Sequence, residues 1–208
     1  MKKKKTMITS VIVAILLALG FSYKQIEPLL SFKTEMEASS SNTGLNQLET
    51  AKVVSTITPP SNTVPVKLDR VIDGDTLAVK MDGDNTSHKV RLLLIDTPES
   101  VKPNTPVQPY AKEASNRMKE LVQGKDLQLE YDAGGATDKY GRILAYVYAN
   151  KKQLNETMVR EGFARVAYVY KPNTRYLTEL NAAQAFAKEE KRNIWSKKGY
   201  VTDRGFQD

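Results

Sequence analysis

The stretch Arg91-Leu92-Leu93-Leu94-Ile95-Asp96-Thr97-Pro98-Glu99 joins a continuous apolar run to an abrupt acidic ending. An uninterrupted apolar run of this length predicts a β-strand that is covered on both faces. The arginine at its head is notable, because burying a guanidinium without a partner is costly. The stretch therefore predicts a central strand with a cation at one end and two carboxylates at the other.

On both sides of this stretch the sequence alternates between strand and helix patterns. Residues 82–85, Asp-Gly-Asp-Asn, have the composition of a hairpin turn between two strands. Three strands, a helix, two strands and trailing helices match the order of a five-stranded, partly open β-barrel. We therefore predict an α+β fold with a mainly β core, namely an OB-fold five-stranded barrel with three α-helices. The strand candidates are residues 66–68, 76–81, 89–96, 127–131 and 143–148, and the helix candidates are residues 110–122, 154–161 and a last helix that starts near Thr174 as its N-terminal cap.

The first 65 residues differ in composition from the rest of the chain. Met1 and four lysines precede a mostly apolar run over residues 7–21, which is the pattern of an export signal. Residues 24–65 are polar and rich in Pro, Ser, Asn and Thr, which predicts a flexible linker. We expect a signal peptide or an uncleaved signal anchor in residues 1–23, a linker in residues 24–65 and a folded domain in residues 66–208. The protein is then secreted or held at the extracellular face of the cell membrane.

Two residue types limit the chemistry by their scarcity. The chain of 208 residues has no cysteine, which excludes disulfides, thiol nucleophiles and cysteine-ligated zinc. His88 is the only histidine, which excludes multi-histidine metal sites and, in practice, a Ser-His-Asp triad. Its place in a polar hairpin predicts exposure to solvent. Any hydrolytic chemistry must therefore use carboxylates, arginines, hydroxyls and a metal held by oxygen atoms.

The net charge of the chain is +7. Residues 1–65 carry 7 Lys/Arg and 4 Asp/Glu, and residues 66–208 carry the other 24 and 20. The excess of positive charge on the predicted domain is mild. It favours a polyanionic partner no more strongly than it favours an ordinary basic surface.

Two acidic clusters lie where strands are predicted to begin or end. The first is Asp73-Gly74-Asp75-Thr76, and the second is Asp96-Thr97-Pro98-Glu99. Carboxylates at strand ends converge easily in a barrel and form an oxygen-rich site suited to Ca²⁺ or Mg²⁺. Both sequences are also common turn-formers, which is the alternative explanation. The glutamate of the second cluster adds a carboxylate that can serve as a base in hydrolysis.

Two arginines and two tyrosines complete the candidate site. Arg91 and Arg142, if they converge, can bind one phosphate and stabilise its transition state, although an ordinary surface ion pair would also explain Arg142. A fully extended strand would separate Arg91 from Asp96 by about 16 Å. The two can therefore reach one phosphate only if the strand curls or bulges. Tyr168 and Tyr170, two residues apart, suit stacking on bases or sugars and equally suit packing in the core.

Four motifs together resemble the staphylococcal nuclease (thermonuclease) family. They are Ile72-Asp73-Gly74-Asp75-Thr76, Arg91-Leu92-Leu93-Leu94-Ile95-Asp96-Thr97-Pro98-Glu99, Asp138-Lys139-Tyr140-Gly141-Arg142 and Val166-Ala167-Tyr168-Val169-Tyr170-Lys171-Pro172. The match runs in order from about residue 66 to residue 196 and includes Asn193-Ile194-Trp195-Ser196. Residues 1–65 lie outside it, so their interpretation rests on composition alone.

The resemblance implies an OB-fold nuclease that hydrolyses phosphodiester bonds of DNA and RNA and leaves 3′-phosphate ends. It implies one Ca²⁺ per domain, bound by Asp75, Asp96 and the backbone carbonyl of Thr97. The implied catalytic residues are Glu99, as general base toward water, and Arg91 and Arg142, as phosphate-binding groups. The residues implied to line the nucleotide pocket are Lys139, Tyr140, Tyr168 and Tyr170. The chain is expected to act as a monomer, with membrane contact only through an uncleaved N-terminal anchor.

Residues 100–109 depart from the family pattern. This loop is lysine-rich in the best-known member, whereas here it holds one lysine and three prolines. The difference predicts weaker or reshaped binding of polynucleotides with the chemistry unchanged. The main alternative function is a non-catalytic nucleic-acid-binding OB module, and a second is a structural or adhesive surface protein. Neither alternative requires that the five charged residues of the implied site be kept together.

Overall fold

Five strands close into a barrel in the computed structural model, which describes residues 57–100 and 106–207. β1 (Val64–Asp73) pairs with β2 (Thr76–Met81) on one side and with β5 (Leu127–Glu130) on the other. β2 also pairs with β3 (Ser87–Leu92), and β5 pairs with β6 (Ile143–Ala149), all in antiparallel order. A parallel pairing of β3 with β6, from Val90 opposite Ile143 to Leu92 opposite Ala145, closes the ring. The predicted five-stranded barrel is confirmed, and this pairing makes it closed rather than partly open. The strands are β1 (Val64–Asp73), β2 (Thr76–Met81), β3 (Ser87–Leu92), β4 (Ile95–Asp96), β5 (Leu127–Glu130), β6 (Ile143–Ala149), β7 (Lys152–Gln153), β8 (Arg165–Val166), β9 (Val201–Thr202) and β10 (Gly205–Phe206).

Three α-helices pack on this barrel within the described residues. They are α1 (Ala111–Val122), α2 (Leu154–Arg160) and α3 (Leu177–Glu189), followed by a 3₁₀ turn at Asn193–Trp195. The helical spacing of Leu177, Leu180, Ala183 and Ala187 predicts the inner face of α3. Leu180, Ala183 and Ala187 are buried, and Leu177 is partly buried against the core. The predicted cap at Thr174 is wrong. The helix begins at Leu177 without a side-chain cap. Thr174 takes part in the preceding turn through its backbone, since its amide donates to the carbonyl of Pro172 and its carbonyl accepts from the amide of Leu177.

The continuous strand predicted over residues 89–96 is interrupted. β3 ends at Leu92, and the chain turns through Leu93 and Leu94 before the two residues of β4. Leu94 adopts a left-handed φ of 64°, which is unfavourable for a bulky side chain. The turn persists because Leu92, Leu93, Leu94 and Ile95 are all buried in the hydrophobic core. As a result Asp96 is directed back toward β3 rather than away from it.

The folded part of the chain begins before the predicted boundary at residue 66. β1 begins at Val64, and Ile57 is buried with its backbone amide donating to Oε2 of Glu156 at 3.4 Å. All described residues fall within one compact unit, Val53–Asp208. The predicted signal and most of the predicted linker lie outside the described residues and stay predictions. Within residues 57–100 and 106–207, no helix is long and apolar enough to cross a membrane.

Candidate active site

One open cavity of about 890 Å³ brings the predicted site residues together. It lies between the β1–β2 junction, the end of β4, the turn before β6 and the segment after β8. Its lining includes every residue named above as catalytic, metal-binding or nucleotide-binding: Asp75, Arg91, Asp96, Thr97, Glu99, Lys139, Tyr140, Arg142, Tyr168 and Tyr170. A separate groove of about 630 Å³, with Lys67, Asp82, Asp126 and Lys151 among its lining residues, contains none of them.

The junction of β1 and β2 places Asp75 against Thr97. Oδ2 of Asp75 accepts hydrogen bonds from the backbone amide of Thr97 at 3.0 Å and from its hydroxyl at 3.1 Å. Gly74 allows this approach, because a Cβ at that position would lie 2.9 Å from Oγ1 of Thr97 and 3.0 Å from Cβ of Ala114. Two hydrogen bonds between residues 22 positions apart in the chain, together with the close approach at Gly74, therefore hold the two acidic clusters together.

Asp96 lies at the end of β4, directly opposite Arg165 in β8. Nε and Nη2 of Arg165 each lie 2.9 Å from Oδ2 of Asp96. Burial and the negative charge of Asp75 raise the pKa of Asp96, while Arg165 and Arg91 oppose that rise. Sequence reasoning missed Arg165. An arginine beside the apolar residues Val166 and Ala167 was the available signal, by the argument applied to Arg91.

Arg91 reaches both acidic clusters from β3. Its Nη2 lies 3.1 Å from Oδ2 of Asp75 and 3.7 Å from Oδ1 of Asp96, and Nη1 donates to the carbonyl of Leu92 at 2.8 Å. The turn at Leu93 and Leu94 replaces the extended geometry that would have held Arg91 and Asp96 about 16 Å apart. The predicted convergence of Arg91 on the acidic pocket therefore occurs.

Arg142 is held by the turn that precedes β6. Asp138 accepts hydrogen bonds from the backbone amides of Tyr140 and Arg142 through Oδ1, and Nε of Arg142 donates to its Oδ2 at 2.7 Å. Burial opposes ionisation of Asp138, but these hydrogen bonds outweigh it and lower its pKa. The ion pair expected from the alternative explanation is thus present, and it orients an arginine that lines the cavity.

Glu99 enters the cavity from a loop whose two ends are tied together. The backbone amide of Glu99 donates to Oε1 of Gln108 at 2.8 Å, and the amide of Gln108 donates to the carbonyl of Glu99 at 3.0 Å. Asp73 also lines the cavity, and its Oδ1 accepts from the hydroxyl of Ser100 at 2.8 Å. Burial and the charge of Asp75 raise the pKa of Asp73 to about 6. The concentration of carboxylates makes this pocket attractive to cations.

Three tyrosines form the outer part of the cavity. Tyr140 and Tyr170 are each 72% exposed, and Tyr168 is 55% exposed, so packing in the core is excluded for them. The guanidinium of Arg91 lies 5.3 Å from the ring centre of Tyr168, and that of Arg142 lies 5.5 Å from the ring centre of Tyr140. Aromatic faces beside arginines are suited to stacking on nucleotide bases.

The oxygen atoms of the pocket fit a hard cation. Within residues 57–100 and 106–207, no three His, Cys, Asp or Glu side chains are grouped as a metal cluster. The predicted ligand set contains only two such side chains, Asp75 and Asp96, together with the carbonyl of Thr97. The like charge of Asp75 is one cause of the raised pKa of Asp96, and a divalent cation between them would relieve that repulsion. His88 takes no part, since it pairs with Asp84 at 2.8 Å and does not line the cavity.

Fold and cavity together define an OB-type barrel whose charged, aromatic-lined cleft suits phosphodiester chemistry. The family model described as "Staphylococcal nuclease homologue" matches residues 89–197. The chain belongs to the staphylococcal nuclease family, which confirms the resemblance identified from the four motifs.

Relatives in two genera are similar over most of the folded domain. The SPbeta prophage-derived endonuclease YokF of Bacillus subtilis is 57% identical over 143 residues, 69% of this chain and 48% of that protein. Endonuclease YncB of the same strain is 56% identical over 143 residues, 69% of this chain and 67% of that protein. Thermonuclease of Staphylococcus hyicus is 46% identical over 136 residues, 65% of this chain and 78% of that protein. The matched region thus spans about half the length of YokF and about two thirds of YncB.

Proposed function

We propose that this protein is a calcium-dependent nuclease that hydrolyses phosphodiester bonds of DNA and RNA and leaves 3′-phosphate ends. The observation that carries the proposal is the single cavity lined by Asp75, Asp96, Glu99, Arg91 and Arg142. The names of the relatives, two endonucleases and a thermonuclease, agree with it. A binding-only module has no need for a glutamate and two arginines around one acidic pocket.

The two arginines bind the scissile phosphate. Arg91 is anchored by Asp75, and Arg142 is anchored by Asp138, so both guanidinium groups are oriented before substrate arrives. Both arginines line the cavity, so their N–H groups outside these ion pairs can donate to a bound phosphate. Such preorganised donors stabilise the extra negative charge that the phosphate gains in the transition state, and one arginine can contribute about 10³-fold or more.

Glu99 accepts a proton from the attacking water. The water oxygen forms a bond to phosphorus, the bond from phosphorus to the 5′ oxygen breaks, and the leaving oxygen takes a proton from solvent water, which leaves a 3′-phosphate and a 5′-hydroxyl. The backbone of Glu99 is held by Gln108, so the carboxylate enters the cavity from a fixed point. Calcium, when bound by Asp75, Asp96 and the carbonyl of Thr97, supplies Lewis-acid polarisation of a phosphoryl oxygen.

The exposed tyrosines bind the nucleotide. Tyr168 and Tyr170 follow β8 and line the cavity beside the arginines, while Tyr140 lies with Lys139 on the turn before β6. Stacking on these rings is indifferent to base identity, because every base offers an aromatic face. Because stacking contacts the base rather than the 2′ position that distinguishes RNA from DNA, it favours neither polymer.

Glu99→Gln tests the proposal. Loss of the general base should lower kcat by about 10²–10⁴-fold, with nucleotide affinity largely unchanged. The assay is digestion of DNA and RNA with calcium and then with a chelator, with end-group labelling to identify 3′-phosphates. Glu113→Gln, on the first turn of α1, is the matched control and should retain full activity. DNA binding without cleavage by the wild-type protein would favour the binding-only alternative, and a fully active Glu99→Gln would remove Glu99 from the mechanism.

We extend the proposal to location, on the sequence of residues 1–23 alone. The basic start and apolar run make this an exported enzyme, released from the cell or retained by an uncleaved anchor. The mass of the mature protein decides between these two forms, since cleavage near residue 20 would remove about 2 kDa. Detection of the full-length chain only inside the cell would contradict export.

A further inference from the structure

We propose that Arg165 is a positioning residue for Asp96 and that the hairpin formed by β9 and β10 holds Arg165 in place. The inference rests on the proposed function, because it treats Asp96 as a calcium ligand. Arg165 itself does not line the cavity. It acts on the site only through the carboxylate that it contacts.

The contact between Arg165 and Asp96 selects one orientation of the carboxylate. Both Nε and Nη2 lie 2.9 Å from Oδ2, so this oxygen is directed at β8. The other oxygen, Oδ1, is then directed toward Arg91, whose Nη2 lies 3.7 Å away, and toward the pocket shared with Asp75. Arg165 thereby occupies one oxygen of Asp96 and leaves the second for the cavity.

Burial makes this contact strong. The side chains of Arg165 and Asp96 are 12% and 15% exposed, so little water competes for the hydrogen bonds. Charge-assisted hydrogen bonds are about twice as strong as neutral ones, and a low local dielectric strengthens them further. The strand that carries Asp96 needs such support, because β4 contains only two residues and pairs only with β8 among the described residues.

The C-terminal hairpin covers the other side of Arg165. The guanidinium lies 5.7 Å from the ring centre of Phe206, and Nη1 donates to the carbonyl of Asp203 at 3.5 Å. β9 and β10 pair Phe206 with Val201 and Gly205 with Thr202. The planar guanidinium is therefore bonded along its edge to Asp96 and Asp203 and packed on its face by an aromatic ring.

The hairpin is itself anchored at the start of α1. Tyr200 is 1% exposed, its hydroxyl donates to the carbonyl of Pro109 at 2.5 Å, and its ring lies 6.0 Å from that of Tyr110. The ring of Phe206 lies 5.5 Å from the ring of Tyr200. A continuous set of contacts thus runs from the beginning of α1 through the hairpin and Arg165 to Asp96.

Groups that hold the ligands of a metal site, without touching the metal, affect it measurably. Their removal typically costs about 10–100-fold in metal affinity or activity. Arg165→Met removes the donors and keeps the aliphatic stem, so we expect calcium affinity to fall by about 10–100-fold. We expect kcat at saturating calcium to fall while KM for DNA changes little, because Arg165 does not face the nucleotide.

Calcium binding measured by isothermal titration calorimetry, without substrate, is the primary test on the full chain. Arg165→Lys keeps one charged donor and should recover most of the affinity that Arg165→Met loses. Phe206→Ala removes the ring that packs on the guanidinium and should weaken calcium binding by less than Arg165→Met. Circular dichroism establishes that each variant is folded. Should Arg165→Met not fold, Phe206→Ala carries the test, and wild-type calcium affinity in that variant would overturn the proposal.

Two control variants separate positioning from general stability. Arg117 forms a similar ion pair with Glu161, with contacts of 2.6 and 2.7 Å, between α1 and the end of α2. Phe186 packs against Arg160 and Arg192, away from the cavity. Arg117→Met and Phe186→Ala should therefore leave calcium affinity unchanged.

Three outcomes decide the matter. Calcium affinity in Arg165→Met that equals or exceeds the wild-type value, or that falls no further than in Arg117→Met, overturns the positioning role. A wild-type chain that binds no calcium and cleaves no DNA overturns the proposed function and this inference with it. Wild-type binding that Asp96→Asn abolishes, together with the expected loss in Arg165→Met, supports both.

Discussion

Replacement of Gly74 by alanine tests how the two acidic clusters are held together. Neither backbone strain nor lost charge complicates the change, because Gly74 does not have a positive φ and carries no side chain. The added Cβ would lie 2.9 Å from Oγ1 of Thr97, 3.0 Å from Cβ of Thr97 and 3.0 Å from Cβ of Ala114. Favourable contacts between such atoms lie at about 3.5–4.0 Å. Thr97 or the start of α1 must therefore move by about 0.5 Å to restore an ordinary contact.

That displacement has a structural and a catalytic consequence. Overpacking of a close-packed site typically costs about 1–3 kcal/mol of the free energy of unfolding. Because Thr97 bonds Asp75 through its amide and hydroxyl, its movement also shifts Asp75 and the carbonyl implied to bind calcium. A misplacement of 1 Å near a reacting centre can cost about 10²-fold in rate. We therefore expect a loss of roughly 10–100-fold in activity.

The assay compares Gly74→Ala with Gly135→Ala. Gly135 also lacks a positive φ, and a Cβ there would make only an ordinary contact of 3.9 Å with the carbonyl of Thr137. Urea unfolding gives the stability, and hydrolysis of DNA in saturating calcium gives kcat and KM. Gly135→Ala should behave like the wild-type protein in both measurements.

A Gly74→Ala protein as stable and as active as Gly135→Ala would refute the reasoning. It would mean that the neighbours of Gly74 relax without moving Asp75. A loss of stability with unchanged kcat would show that the glycine matters to packing alone. Only the combined loss supports the view that this glycine sets the distance between the clusters.

Two further predictions concern the buried carboxylate of Glu130 in β5 and the effect of calcium on stability. Glu130→Gln should lower the free energy of unfolding by about 2–4 kcal/mol. The reason is that the buried carboxylate of Glu130 accepts hydrogen bonds from Tyr148 and Tyr176 and pairs with Arg175. Urea unfolding measures this loss, and the exposed control Glu120→Gln should change the free energy of unfolding by less than about 0.5 kcal/mol. Calcium at 100 times its dissociation constant should stabilise the protein by about 2.7 kcal/mol, seen as a higher Tm in calcium than in chelator. An equal Tm in calcium and in chelator would contradict calcium binding to the folded state.

Local patterns were sufficient for the regular elements. The helical spacing of Ala111, Ala114, Met118 and Leu121 predicts the inner face of α1, because side chains three or four residues apart share one side of a helix. The first three are buried in the structure, and Leu121 is partly buried against the core. The start of α3 was not predictable in this way. A threonine followed by apolar residues is compatible with several starting points, and packing of Tyr176 and Leu177 against the core accompanies a start at Leu177.

Residue types alone also indicated most of the site. Carboxylates that follow strands, and arginines in apolar surroundings, are costly unless they find partners, so their presence is informative without coordinates. The cost of burial identified Arg91, and the convergence of carboxylates at strand ends identified the acidic clusters. Neither argument identified Arg165, whose partner became apparent only when β4 and β8 were paired in register.

The sequence by itself determined the chemistry available to this protein and the family to which it belongs, since residue types and motif spacing do not depend on how the chain turns. The tertiary structure alone decided that Arg91 and Asp96 meet. An apolar run locally favours an extended strand, and the left-handed turn at Leu94 exists only because the closed barrel buries Leu93 and Ile95 on either side of it. Local preference and global packing disagree at this one turn, and global packing prevails because burial of the run stabilises more than the backbone strain costs.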